Sequence, residues 1–487
     1  MQKKSKTNRR DFLRTSGTAA AAATLASGLT IGRSAHAAGD DVINLVQIGC
    51  GGRCNGAIRQ RLDVGDNARL IGIHDVFGDA AKRQADAMKK EEKYKGKVAV
   101  QDDNVFDGFD GFKNAIDLLR PGIDQVVIAT PPGFRPQHFR YAVEKGVHVF
   151  MEKPLCTDVT GFQSLIESAK IADEKNLKVT VGLQRRYDAG FRNWVKAVHD
   201  GKIGDITFTR VYWNGGGIWC RARDAGESEL HFQVKNWYHF VYLCGDNITE
   251  QHVHNLDMGL WLHGKGDNMC HPVEANAMGG RQNPVCPEEL RRTAPPFADR
   301  GAWDEWYQKN KGQCNRHGQA WDHFFVEFTF ADGSKMFSQC RHIPNTFGAV
   351  TQYVHGTKGQ GGAEGIANKK GKAWLQEYGA QDDLFSEGVN SGQFAYEHVE
   401  HVKNIRENIK RNDVWYAAHS TMTAVLGREA AFSGKVVKWD ELVAKGKTYI
   451  PLDGFHSFDD TPPVVPDADG FYENSVAKEG VYNPFKS

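Results

Sequence analysis

The stretch that decides the fold is Val149-Phe150-Met151-Glu152-Lys153-Pro154. An apolar run from Val147 to Met151, broken only by His148, reads as a buried parallel strand. It ends in an acid, a lysine and a proline. In an open α/β sheet, ligands sit beyond the carboxyl ends of the strands. Lys153 therefore stands where chemistry happens, and Pro154 stops the strand from continuing. The Lys153–Pro154 bond is a candidate for the cis form, which would fix the direction of the ammonium group.

Moving outward toward the N-terminus, Val42 to Ile48 is a short apolar strand that runs straight into Gly49-Cys50-Gly51-Gly52-Arg53-Cys54. A helical stretch follows to about Leu62. The next strand, Arg69 to His74, ends in Asp75, about 20 residues beyond the glycine turn, which is the spacing of a dinucleotide fingerprint. The glycines let the backbone approach a pyrophosphate, and the helix N-terminus offers it free N–H groups. Asp75 would accept hydrogen bonds from ribose hydroxyls and repel a 2′-phosphate, which favours NAD over NADP. Cys54 replaces the third glycine, at the position that governs helix–strand packing. A purely structural tight turn is the competing reading.

Charged or amphipathic helices are expected over 79–93, 109–119 and 136–145, the last ended by Gly146. Between them, Asp124 to Ala129 is a buried strand that breaks at Thr130-Pro131-Pro132-Gly133. Asp158 caps a helix whose apolar stripe is Phe162, Leu165, Ile166, Ala169 and Ala172. Val179 to Leu183 is the last strand, ending at Gln184-Arg185-Arg186-Tyr187. This alternation gives the α/β class: an N-terminal Rossmann doubly wound parallel sheet over 40–185.

The pattern then changes. Thr207 to Trp213 alternates as a half-exposed strand does. Val326, Phe328 and Phe330 share one face, Asp332-Gly333 signals a hairpin, and Lys335 to Cys340 returns. Val350 to His355 is a further strand, and helices follow near 396–410 and 418–432. Residues 186–455 thus read as an α+β domain with a large, mostly antiparallel sheet. The segment 264–320 reads as an insertion with one short strand, and 456–487 as an extended tail.

The chain has 487 residues, 40% of them hydrophobic, with 61 Lys+Arg against 60 Asp+Glu. That balance gives no bulk charge to favour nucleic acid. No apolar run in the body of the chain is long enough for a mature transmembrane helix. Residues 1–37 look like an export signal: Arg9-Arg10-Asp11-Phe12-Leu13 resembles a twin-arginine motif, an Ala-rich run follows, and Ala35-His36-Ala37 has the form of a cleavage site. The expected location is periplasmic or exported, by way of the twin-arginine machinery. Nine cysteines are an odd count without a zinc framework. Cys270 and Cys286 are a possible pair; buried small hydrophobes are the default.

The second informative stretch runs from Thr249 to Asp257. If it is extended up to His254, residues Glu250, His252 and His254 share one face, and Asn255 caps the helix that carries Leu256 and Leu260. His254 then reads as a general base of near-neutral proton affinity, oriented by Glu250 or His252. The three side chains as metal ligands, or as satisfied structural histidines, are the alternatives.

Gly49-x-Gly51, Asp75, Thr130-Pro131-Pro132 with His138, Glu152-Lys153-Pro154, Gln184-Arg185-Arg186-Tyr187 and His254-x-x-Asp257 together resemble the Gfo/Idh/MocA family of oxidoreductases. The resemblance covers about residues 42–440. It implies NAD or NADP held by Gly49, Gly51, Gly52, Arg53, Asp75, Thr130, Pro131, Pro132, His138, Glu152, Lys153 and Gln184. It also implies a secondary hydroxyl of a sugar, polyol or glycoside as substrate. Lys153 would reach nicotinamide ribose and substrate hydroxyl, and His254 would accept the proton. Glu250 takes the place of an aspartate common in the family. Arg185, Tyr187, Trp237, Tyr238 and His252 are candidates for the sugar-facing wall, and a homo-oligomer is expected. No resident metal is expected. Export implies a tightly bound cofactor and alternating substrates, or a redox-neutral cycle as in NAD-dependent glycoside hydrolysis or epimerisation. A non-catalytic sugar-binding Rossmann protein is the rival from another class.

Overall fold

The structure, a computed structural model, describes residues 41–485 except 222, 267–268, 283–298, 300, 303–304, 306–317, 365–369, 390–391 and 469–471. Residues 1–37, expected to be an export signal, much of the expected insertion over 264–320, and Cys286 lie outside the described residues.

The first sheet comprises β1 (Ile43–Ile48), β2 (Ala68–His74), β3 (Val105–Phe106), β4 (Gln125–Ile128), β5 (His148–Met151) and β6 (Val179–Val181). Its order is β3-β2-β1-β4-β5-β6 and every pairing is parallel. Strands β4, β5 and β6 are buried along their whole length. Helices cover both faces, which is why these strands read as continuous apolar runs. Strand order reverses between β1 and β4, and the crevice beyond their carboxyl ends is where such sheets bind ligands. Asp158 caps the helix Val159–Glu174 through Gly161 N at 2.8 Å. The helix expected over 109–119 is confined to Gly111–Ile116. Phe109 is instead drawn into an aromatic cluster with Phe134 and Phe455.

The second sheet has nine strands: β7 (Ile206–Gly215), β8 (Glu274–Gly280), β9 (His323–Thr329), β10 (Lys335–His342), β11 (Ala349–Gly356), β12 (Gly359–Glu364), β13 (Gly371–Glu377), β14 (Phe385–Val389) and β15 (Val437–Lys438). The order is β14-β13-β12-β11-β7-β10-β9-β8-β15. All pairings are antiparallel except β10 with β7. The hairpin at Asp332-Gly333 joins β9 to β10, with Gly333 at φ +84 and Asp332 accepting from Ser334 N. Helices Val253–His263 and Val414–Ser433 lie on the buried face. Close approach needs glycine at both contacts: a Cβ on Gly259 would fall 2.3 Å from Met336, and one on Gly427 2.8 Å from Phe328. No described helix is long and apolar enough to cross a membrane.

One expectation is overturned. Residues 249–254 are not extended. Helical turns span Asn247–Glu250 and Val253–His263. Asp246 caps the first by accepting from Asn247 N at 2.6 Å, and its other oxygen accepts from Trp321 N at 2.9 Å. Val253, Leu256 and Leu260 then bury at helical spacing. The His-x-His alternation imitated a strand inside a helical segment. Glu250, His252 and His254 therefore do not share a strand face. Asn255 is no cap: it lies within the helix, and its amide donates to Tyr212 O and Thr351 O, fixing the helix to β7 and β11.

Candidate active site

Gly49 leaves β1 at φ +96, and a Cβ there would meet Ala129 O at 3.0 Å, so this position requires glycine. The helix Gly52–Leu62 starts at Gly51 with no side-chain cap among the described residues, which leaves its first N–H groups available. Nothing lies within 4 Å of where Gly51 or Gly52 would carry a Cβ. These residues, with Arg53, Asp75, Thr130, Pro131 and His138, line a cavity of about 480 Å³. Pro132 is buried and does not line it. An uncapped helix end facing an open, glycine-lined cavity fits a dinucleotide pyrophosphate. Asp75 accepts from Cys50 N at 2.6 Å and Phe77 N at 2.9 Å, so the acid at the end of β2 holds the glycine turn in place. Cys54 is fully buried, and its thiol lies 3.5 Å from Ile48 O, which shows how a small side chain replaces the third glycine. Burial pushes this thiol up to about 12. Thr130 Oγ1 and His138 Nδ1 are 3.0 Å apart. Burial, then the His74 and Arg135 charges, hold His138 well below the usual histidine range.

Beyond β5, Glu152 is a structural junction. One carboxylate oxygen accepts from Arg53 Nε at 2.5 Å and the other from Lys153 N at 3.1 Å. Gly182, just past β6, makes room for it: a Cβ there would fall 2.5 Å from the carboxylate. Arg53 also reaches Glu397 at 2.8 Å, on the helix Gln393–Arg406 that follows β14. Burial, followed by the charges of Glu152 and Asp413, raises Glu397 well above the carboxylate range against the opposing pull of Arg53. The Lys153–Pro154 bond is cis. Buried Arg135 donates to Pro154 O and, at 2.5 Å, to Thr130 O, tying the end of β4 to the turn after β5. Gln184 is buried, with its Oε1 unpartnered.

The two sheets meet at Lys153. Its Nζ donates to Glu250 O at 2.8 Å and to Glu250 Oε1 at 3.2 Å. His254 lies on the next helical turn after Glu250, with its ring stacked on Trp213 of β7, centroids 5.6 Å apart. Its Nδ1 is buried without a hydrogen-bond partner among the described residues. Burial is the first cause that holds His254 well below 6.5, and the neighbouring Lys153 charge is the second. The near-neutral value expected from sequence is thus corrected: this imidazole is neutral at ordinary pH. Tyr238 is buried against Glu250, with its hydroxyl 3.4 Å from His342 Nε2.

Other candidates lie elsewhere. His252 bonds Ser338 Oγ at 2.8 Å, and burial takes it down to about 3, as befits a structural histidine. Arg185 is spent on Asn255 Oδ1 at 2.6 Å and Gln352 Oε1 at 3.1 Å, so it positions the helix of His254 and is not free to form a sugar wall. Tyr187 is buried, with its hydroxyl bonded to Asp413. Trp237 lines the glycine-turn cavity, whereas its neighbour Tyr238, with ring centroids 5.3 Å away, does not. Asp257 pairs with Arg186 at 2.8 Å. Among the described residues no cluster of three His, Cys, Asp or Glu side chains could hold a metal ion. Sequence reasoning missed Arg135, Trp213, His342 and Glu397. Arg135, directly before Pro136 at a helix start, was the most legible of them.

The first sheet, with its helices and the glycine turn, forms a Rossmann unit. Residues 43–183 match the Gfo/Idh/MocA family model, described as an oxidoreductase family with an NAD-binding Rossmann fold. The chain is 28% identical over 163 residues to scyllo-inositol 2-dehydrogenase (NADP(+)) of Bacillus subtilis, covering 34% of this chain and 40% of that protein. It is 26% identical over 223 residues to an inositol 2-dehydrogenase of Serratia proteamaculans, covering 45% and 54%. The chain thus spans about half the length of these curated relatives. The crystal structure of myo-inositol 2-dehydrogenase from Lactobacillus plantarum superposes with a TM-score of 0.54 at 19% identity, covering 81% of this chain and 99% of that one. That likeness establishes the shared two-part fold.

Proposed function

We propose that this chain is an NAD(P)-dependent oxidoreductase of Gfo/Idh/MocA type that acts on a secondary hydroxyl of a sugar or polyol. The observation that carries the reading is the meeting of Lys153, from the first sheet's last crossover, with Glu250 and neutral His254 from the second domain. The match of residues 43–183 and the inositol dehydrogenases among the relatives support the same class of substrate.

The cofactor would be held by the uncapped helix end at Gly51–Arg53, with Asp75 at the ribose end. A carboxylate in that place favours NAD over NADP. The bound nicotinamide supplies the hydride acceptor. The protein's residues do the rest. The His254 imidazole takes the hydroxyl proton; being neutral, it is ready to receive it. The Lys153 ammonium, anchored by Glu250, stabilises negative charge developing on the substrate oxygen. Trp213 and the Arg185–Asn255 contact hold the imidazole in place. Residues 1–37 read as an export signal, and a protein sent outside the cytosol must carry its cofactor with it.

The test is to purify the protein, release and quantify any bound nucleotide, and then follow bound-cofactor absorbance near 340 nm against a panel of sugars and polyols. Reduction by at least one member, strongly slowed in Lys153→Ala, is expected. A loaded protein that no polyol or sugar reduces would refute the assignment.

A further inference from the structure

The cavity at the glycine turn is not bounded by the Rossmann unit alone. Trp219, Arg221 and Trp237 line it together with Asp75 and Phe77, although they lie beyond the 43–183 segment that matches the family model. They belong to one folded-back segment. Arg221 N donates to Asn236 Oδ1 at 2.7 Å, and Asn236 Nδ2 donates back to Arg221 O at 3.1 Å. The two indoles meet edge to face at 5.9 Å, and the Arg221 guanidinium sits 5.5 Å from the Trp219 ring. Indole faces suit a flat purine, and a guanidinium suits a phosphate.

The C-terminal tail fastens this segment to the first domain. Ser228 Oγ donates to Phe458 O at 2.7 Å, and Gln233 Nε2 donates to Val464 O at 2.7 Å. Arg223 reaches Tyr472 Oη at 3.2 Å, and the same hydroxyl bonds Glu229. From the other side, the Phe458 ring stacks on Phe77 at 5.3 Å and packs edge-on to Phe109 at 5.0 Å. Phe77 and Phe109 both line the cavity. One short stretch of tail thus grips both walls.

We propose that Trp219, Arg221 and Trp237 form a second wall for the adenosine half of the dinucleotide, and that Phe458 and Tyr472 latch that wall shut so that the cofactor is retained. The proposal rests on the dinucleotide-binding reading above. Release then requires the latch to open, so the latch sets the dissociation rate.

The experiment measures NADH dissociation by stopped-flow fluorescence in the wild type, Phe458→Ala, Tyr472→Phe and Trp219→Ala. Hydrogen exchange across 216–240 is followed with and without NADH. Loss of the Phe458 ring, half-buried against Phe77 and Phe109, is expected to speed release by about tenfold, the change that about 1.4 kcal/mol of lost latch contact gives. Tyr472→Phe, which removes only hydrogen bonds, should give a smaller rise in the same direction. NADH should protect 216–240 in the wild type and protect it less in the tail variants. If the wild type binds NADH but the tail variants release it at an unchanged rate, the latch is refuted while the functional reading stands. If the wild type binds neither NADH nor NADPH, both fall.

Discussion

The Lys153 ammonium makes two bonds to a single residue, Glu250, one to its backbone carbonyl and one to its carboxylate. The lysine comes from the turn after β5 and the glutamate from a helical turn beside the second sheet. Their contact fixes the ammonium direction from outside its own domain. Lys153→Ala is expected to lower kcat by roughly 10²–10³-fold, the usual loss for one donor to a developing oxyanion. Cofactor loading should persist, because the glycine turn is untouched. Lys153→Ala with undiminished turnover would remove the lysine from the mechanism.

The pH profile follows from His254. Its folded value lies well below 6.5, so the neutral form that accepts a proton persists as the medium turns acid. The acid limb of kcat/KM is therefore expected below pH 6.5, not at it. His254→Asn should abolish that limb and cut activity by about 10²–10⁴-fold. A limb at or above pH 6.5 that survives in the asparagine variant would belong to another group.

Arg53 joins Glu152 at the first sheet to Glu397 on a late helix. Arg53→Met would take away the donor shared by buried Glu152 and by Glu397, whose carboxyl already sits well above the carboxylate range, and leave both without that partner. A cost of about 3 kcal/mol in folding stability is expected, as for other broken buried pairs. Pairing the change with Glu397→Gln should recover most of it, and chemical denaturation of the single and double variants reads this directly.

Several buried histidines bind protons more weakly in the fold than in the open chain. His252 falls to about 3, and His263 and His342 to about 4. In each, burial is the leading cause. Their depressed values mean that the unfolded chain takes up more protons below its own value of 6.5. Stability is therefore full above pH 6.5 and falls as acid is added, at roughly 1.4 kcal/mol per pH unit for each such histidine. Denaturant midpoints recorded from pH 7 to pH 4 should decline steeply. A flat profile would contradict the burial of these rings.

The first half of the site was legible because its parts are local. A strand, a glycine turn, an acid at the end of the next strand and Glu152-Lys153-Pro154 each announce themselves within a few residues. The stretch around His254 misled because His-x-His alternation fits a strand as well as a helix, and only the Asp246 cap and the burial of Val253, Leu256 and Leu260 decide between them. The Arg53–Glu397 and Arg135–Pro154 contacts join elements that no period connects. Trp237 looked like a sugar-wall or core residue and Trp219 carried no signal, since nothing in the chain's order says that a later segment returns to the glycine turn.

Gly182 and Glu152 occupy the same space in turn: the missing side chain of one houses the carboxylate of the other. The two positions are thirty apart in the chain, and 182 can gain a side chain only where 152 has given up its own. A mutational scan that changes one residue at a time will score Gly182 as intolerant even though it carries no reactive group. Shortening position 152 first should open Gly182 to alanine, a case in which the order of two substitutions decides whether the second survives.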